Sequence, residues 1–298
     1  MNKYCPSCKV KRKTKRENCL VCGTLLIGDW RVDSFVEKAG LGLPIDYDEV
    51  DPSRVFGIDV HQYSGVVNWE KAREAGVKFA LIKATSGLLT ANFFRQNWEG
   101  AAKAGILRGS WHWLFKSSDI SAGSQARNVI SVLKADPGEL PMFCDFEWTK
   151  YNYKQSNPDT GDLWGLLKPY EDMTGRRPGI YSSPGYWGQY GNMQAVWDTY
   201  PLWIANYKVT KPTIPLPFKK YMFWQFSEMV EGADYGVSIY EERGVDGNYF
   251  GGTLQELYAI ASQPDPTPVP VPVPTPADDP IVEVQMTHLS GKKEIIKK

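Results

Sequence analysis

Residues 141–148 read Pro141-Met142-Phe143-Cys144-Asp145-Phe146-Glu147-Trp148, a short apolar run that closes on two acids two positions apart. A run this short, bounded by Pro and by charge, predicts a buried strand rather than a helix. Side chains alternate faces along a strand, so Asp145 and Glu147 are expected to project to the same side. Two acids in one crowded site repel as anions, and one is then expected to keep its proton near neutral pH. Flanking Phe146 and Trp148 would add desolvation. This is what a general acid acting on a glycosidic oxygen requires. The opposing reading is an edge strand with solvated acids, and Phe143 with the apolar run before it argues against that.

Similar β-rich runs lie on both sides of this stretch: Phe56–Val60, Phe79–Ala84, Leu107–Phe115, Gly179–Ser183, Leu202–Asn206, Tyr221–Phe226 and a weaker one near Val245. Segments with helical spacing separate the earlier ones, at Trp69–Ala75, Phe94–Ala104, Ala122–Lys134 and Asp162–Thr174. Gly76, Gly105 and Gly175 stand where those helices should stop. Strand and helix in alternation imply parallel strands with crossover helices. Eight strand candidates predict an irregular eight-stranded α/β barrel over residues 54–262, TIM-like but with incomplete helices on its later side. Catalytic groups of such barrels gather where strands end. Acids stand there in Gly57-Ile58-Asp59-Val60-His61 and, near the last strand, in Val245-Asp246-Gly247-Asn248.

With these pieces in view, residues 55–261 resemble the lysozymes of glycoside hydrolase family 25. The matching fragments come in order: FGIDVHQYSG with VNWEKAREAGVKFALIKATSG, GILRGSWHWLF, MFCDFEW, RPGIYSSP, PLWIANY, FWQFS and VDGNYF. The resemblance implies cleavage of the β-1,4 bond between N-acetylmuramic acid and N-acetylglucosamine in bacterial peptidoglycan, with no cofactor for catalysis. It makes Glu147 the general acid and Asp145 the acid that assists the substrate's 2-acetamido group. Asp59 and Asp246 become supporting carboxylates, and His112 matches the family's pocket histidine position, a core histidine satisfied by a backbone carbonyl being the other reading of that residue. Tyr181, Trp203, Tyr207 and Trp224 lie near later strand ends, where aromatic rings can stack on sugars. Half of them are expected to face substrate, because alternation sends the rest outward. Three positions depart from the family's pattern: Ser86 where Glu is frequent, Trp111 where Tyr is frequent, and His61 where a small polar residue is usual.

The remaining segments are of different material. Cys5 and Cys8, then Cys19 and Cys22, form two close pairs separated by ten residues. Four thiolates at this spacing can converge on a structural zinc, giving a zinc-ribbon-like module over residues 1–28. Two local disulfides are the alternative, suited to an oxidising compartment. Residues 29–53 read as a connector. Residues 263–280, with PDPTPVPVPVPT, read as an extended Pro-rich linker. Residues 281–298 are a short tail with a possible hairpin. No apolar run is long enough to span a membrane. The basic start, Met1 to Arg16, does not look like an export signal. The expectation is a protein made in the cytoplasm that meets the wall after release, or one packaged into a virion. The chain carries 34 basic and 34 acidic side chains, so no long-range field recruits a polyanion, and nucleic acid is not an expected partner. The basic cluster within 1–28 leaves a wall polymer or a protein open as partner of the termini. Two other functions stay in play: a catalytically weak glycan-binding protein that keeps the barrel, and a zinc-ribbon adaptor or virion component.

Overall fold

The computed structural model describes residues 47–149, 155–237 and 244–262, together with the backbone of five short strands, Asn2–Cys5, Val10–Lys13, Ile27–Gly28, Met286–Thr287 and Lys293–Glu294. The first three pair as a small antiparallel sheet, and the last two pair with each other. The zinc-ligand reading of Cys5, Cys8, Cys19 and Cys22 rests on side chains outside the described ones, and the Pro-rich linker and most of the connector lie outside the described residues.

The barrel strands are β1 (Phe56–Val60), β2 (Phe79–Ser86), β3 (Leu107–Trp113), β4 (Met142–Asp145), β5 (Gly179–Ser182), β6 (Leu202–Ala205), β7 (Phe223–Val230) and β8 (Val245–Phe250). Each of β1 to β7 runs parallel to its sequence neighbour except across the closure, where β8 lies antiparallel between β7 and β1. An all-parallel barrel would need a crossover returning the chain to its start. Between β7 and β8 the described residues form a short 3-10 turn, Gly232–Tyr235, and Val245 pairs back onto Val230, so the direction reverses. The reversal brings the first residues of β8 to the rim where the parallel strands end. Asp246 thereby stands directly opposite Asp59.

Helices α1 (Trp69–Glu74), α2 (Phe94–Lys103), α3 (Ala122–Leu133), α4 (Thr160–Thr174), α5 (Pro184–Tyr190) and α6 (Leu254–Ala261) are spread unevenly. The first four fall within two residues of the predicted segments. Asp159 caps α4 through a capping box, and Gly175 ends it with φ +70°, a conformation that disfavours residues with a Cβ. No helix links β6 to β7, so the helical side is incomplete there.

Alternation along the strands sorts the core into two layers. Phe79, Leu81, Phe143, Trp203 and Phe223 fill the barrel interior, whereas Ile58, Ile82, Cys144 and Phe146 pack outward under the helices. Interior rings stack into a floor, with Phe223 at 4.6 Å from Phe79 and 5.6 Å from Phe143. Gly179 makes that floor possible, because a Cβ there would sit 2.2 Å from the Phe143 ring. The end of the connector is strapped along the outside of β7 and β8. Asp48 accepts a hydrogen bond from Ser227, the Asp51 N–H donates to Tyr249 Oη at 2.7 Å, and the Arg54 guanidinium lies over Tyr249 and Trp224 at 4.3 and 4.9 Å.

Candidate active site

The strand parity that sends Phe143 inward also sends Asp145 inward, at the last residue of β4. Glu147 lies two residues past it. The extended path continues that far, because Phe146 N–H donates to Tyr181 O at 2.9 Å and Ser182 Oγ donates to Phe146 O at 2.9 Å. Asp145 is buried and Glu147 partly buried. Burial pushes both carboxyls up, Glu147 to about 7 and Asp145 well above the usual carboxylate range. Glu147 adds to the shift at Asp145, Asp59 adds to both, and the Lys83 ammonium opposes both. Asp145 Oδ1 is buried with no hydrogen-bond partner among the described residues.

Asp59 ends up in a cradle of amides. Its Oδ2 accepts from Asn248 Nδ2 at 2.7 Å and from Gln225 Nε2 at 2.8 Å. Tyr181 and Tyr207 hydroxyls donate to Gln225 Oε1 at 2.9 and 2.5 Å, and Trp203 Nε1 donates to Asn248 Oδ1 at 2.7 Å. Those donors fix which end of each amide faces the acid. Burial raises Asp59 to about 6 against the pull of the two amides. Asp246 hydrogen-bonds to Asp59 and is raised well above its ordinary value, first by burial and then by the Asp59 charge. Asp246 therefore holds the proton of this pair and donates it toward Asp59.

Lys83 completes the charge balance. Its Nζ sits 4.7 Å from the Trp111 ring and 4.1 Å from the Trp113 ring, buried inside the barrel. Burial pulls the ammonium down to about 8, while Asp145 and Glu147 hold it up. A cleft of about 380 Å³ opens beside the Asp59–Asp246 pair, with His61, Tyr63 and Glu228 also in its wall.

All four predicted acids thus come together at one rim. Tyr181, Trp203 and Tyr207 face the same interior, but Trp203 is only 2 % exposed and acts by holding Asn248. His112 and Trp224 are not brought to the site. His112 is fully buried on the outer face of β3, with Nδ1 at 2.7 Å from Thr85 Oγ1 and Nε2 at 3.2 Å from Gln125 Oε1 of α3. Trp224 packs outward under Arg54 and donates to Asn206 O. Both residues sit one position out of phase with inward neighbours, Trp111 and Trp113 for the first, Phe223 and Gln225 for the second. Cys144 is a buried free thiol on the outer face. Lys83, Gln225 and Asn248 were not singled out from the sequence. The available signal was parity, since Asn248 is two residues from Asp246 and Gln225 two from Phe223.

Similarity to known proteins points the same way. The family described as "Glycosyl hydrolases family 25" matches residues 58–234. Lysozyme M1 of Streptomyces globisporus is 31% identical over 249 residues, covering 76% of this chain and 78% of that protein. The N,O-diacetylmuramidase of Chalaropsis sp is 30% identical, covering 70% of this chain and 99% of that protein. Among solved structures, the bacterial lysozyme from Streptomyces coelicolor superposes with a TM-score of 0.61 at 29% identity, covering 71% of this chain and 98% of that one.

Proposed function

The chain belongs to the glycosyl hydrolases of family 25, and we propose that it is a lysozyme-type peptidoglycan hydrolase in which Glu147 is the general acid and base. The bond cut is the β-1,4 linkage between N-acetylmuramic acid and N-acetylglucosamine. The observation that carries the reading is the convergence of four carboxyls at the open end of the barrel, where Asp246 stands opposite Asp59 and burial pushes Glu147 up to about 7.

Glu147 gives its proton to the glycosidic oxygen as the bond to the anomeric carbon breaks. The substrate's acetamido oxygen bonds to that carbon, and the unpartnered Oδ1 of Asp145 accepts from the acetamido N–H. Water, deprotonated by Glu147, then opens the ring, so the acid is regenerated and the anomeric carbon gains a hydroxyl. The Asp59–Asp246 pair supplies one negative charge to the face of the site opposite Glu147. Tyr181 and Tyr207 act by orienting Gln225.

Comparing wild type with Glu147→Gln by turbidity of purified walls tests the assignment. Mass analysis of the digest identifies the bond, because reducing ends on muramic acid mark this cleavage. Equal clearing by both proteins overturns the role of Glu147.

The cysteine pairs at 5/8 and 19/22 are assigned to a structural zinc, supported by their spacing. One zinc per chain by metal analysis, released on Cys5→Ser, is the expected result. We assign the site of action to the cell wall after release, or to a virion. No helix among the described residues is long and apolar enough to cross a membrane.

A further inference from the structure

His61 stands directly after β1, where Asp59 is offered to the cleft, and both its ring and its backbone are tied into the turn that follows. Nδ1 accepts the Tyr63 backbone N–H at 3.1 Å, and the His61 N–H donates to Ser64 Oγ at 3.2 Å. The Tyr63 ring meets the imidazole edge-on at 5.5 Å. An imidazole whose Nδ1 accepts a backbone N–H is neutral with its proton on Nε2. Burial and the nearby Lys83 charge keep it so, holding the group down to about 4. Nε2 has no hydrogen-bond partner among the described residues, and the ring lines the cleft.

The chemistry of the wall says what this donor can meet. Among the described residues, Asp59, Asp246 and Glu228 share the cleft with His61, and no Lys or Arg lines it. Such a wall repels a carboxylate and suits an uncharged group. We propose that His61 is a specificity-determining residue, whose Nε2–H donates to an uncharged oxygen, a hydroxyl or an acetamido carbonyl, of a sugar unit bound in the arm of the cleft between β1 and β8. The assignment rests on the glycosidase reading above and names a contact of that same site. A fixed ring loses no rotamer freedom on binding, which favours affinity from a single bond.

Two substitutions separate this role from a purely structural one. In His61→Asn the side-chain oxygen can replace Nδ1 as acceptor for Tyr63 N–H, since Asn caps turns well, but the amide stops short of the Nε2 position. In His61→Gln the amide nitrogen reaches that position while the turn contact is lost. Steady-state kinetics on solubilised peptidoglycan strands, alongside thermal melting, read the difference. H61N is expected to melt like wild type with KM raised roughly three- to ten-fold and kcat within about two-fold, the effect of one neutral hydrogen bond. H61Q is expected to melt lower but to keep KM within about two-fold of wild type. An unchanged KM in H61N, a loss confined to kcat, or an equal rise of KM in both variants overturns the assignment. Wild-type protein that releases no reducing ends overturns the glycosidase reading instead.

Discussion

Replacing Asn248 with Leu removes one of the two amide donors that stabilise the Asp59 carboxylate while keeping the side chain's volume. The lost bond is short, 2.7 Å, buried and made to an ionised group. Bonds of that kind contribute about 1.5–3 kcal/mol, and about 1.4 kcal/mol corresponds to one pKa unit. Asp59 should therefore climb by about one to two units from its position near 6. The sign follows from what the bond stabilises: it favours the anion, so its loss favours the proton and moves the acid limb of kcat/KM to higher pH. That limb reports the Asp59–Asp246 pair as a unit, because the two share a proton. The alkaline limb is set by Glu147 near 7 and should stay. With the limbs pushed together or crossed, the fraction of enzyme holding an ionised pair and a protonated Glu147 shrinks, and peak activity falls by about tenfold. Trp203 Nε1 also loses its acceptor in the interior, at a stability cost of about 1–3 kcal/mol. The measurement is kcat/KM against pH on solubilised peptidoglycan strands, with melting curves to show that the protein is folded. A folded Asn248→Leu protein whose acid limb has not moved would refute the cradle as the source of Asp59's charge.

Lys83→Met removes the cation that opposes the rise of Glu147, so the alkaline limb of the same profile should shift upward by about one unit or more; an unmoved or lowered limb contradicts the charge balance drawn here. Glu147→Gln should stabilise the inactive protein at pH 8 by about 1–3 kcal/mol. The folded-state value lies above the ordinary one of 4.5, so the glutamate's contribution is fully present below that pH and is lost as pH rises through about 7. Calorimetry should show the gain in melting temperature vanish near pH 4. His112→Ala should destabilise the barrel by about 2–4 kcal/mol, leaving a cavity and Thr85 Oγ1 without its partner while Gln125 keeps its two bonds to Phe115, and KM of the folded fraction should stay at the wild-type value.

The strand pitch made Asp145 and Glu147 legible as a pair, and glycine punctuation placed the first four helices to within two residues. The same pitch, applied one residue further, excludes His112 and Trp224, which attract attention as polar or aromatic groups near strand ends but point into the outer layer. Lys83 is hard to see because it sits within Ala80-Leu81-Ile82-Lys83-Ala84, where one basic residue in an apolar run looks like an exposed position rather than a buried cation between two indoles. Gln225 and Asn248 are amides inside apolar strands, and only the barrel's closure reveals that both face Asp59. The reversed direction of β8 was equally hidden, since a weak apolar run carries no arrow. That direction appears only in the pairing, where Val245 lies antiparallel to Val230.

The strap formed by residues 47–54 decides where this enzyme can be shortened. A version beginning at residue 47 retains the guanidinium that covers Tyr249 and Trp224 and the ties from Asp48 and Asp51. A version beginning at residue 55, the first position of recognisable catalytic sequence, would leave those two rings open to water on the back of the two strands that carry Gln225, Asp246 and Asn248. The functional unit is thus eight residues longer than its motifs, and trimming to the motifs would loosen the catalytic rim from behind.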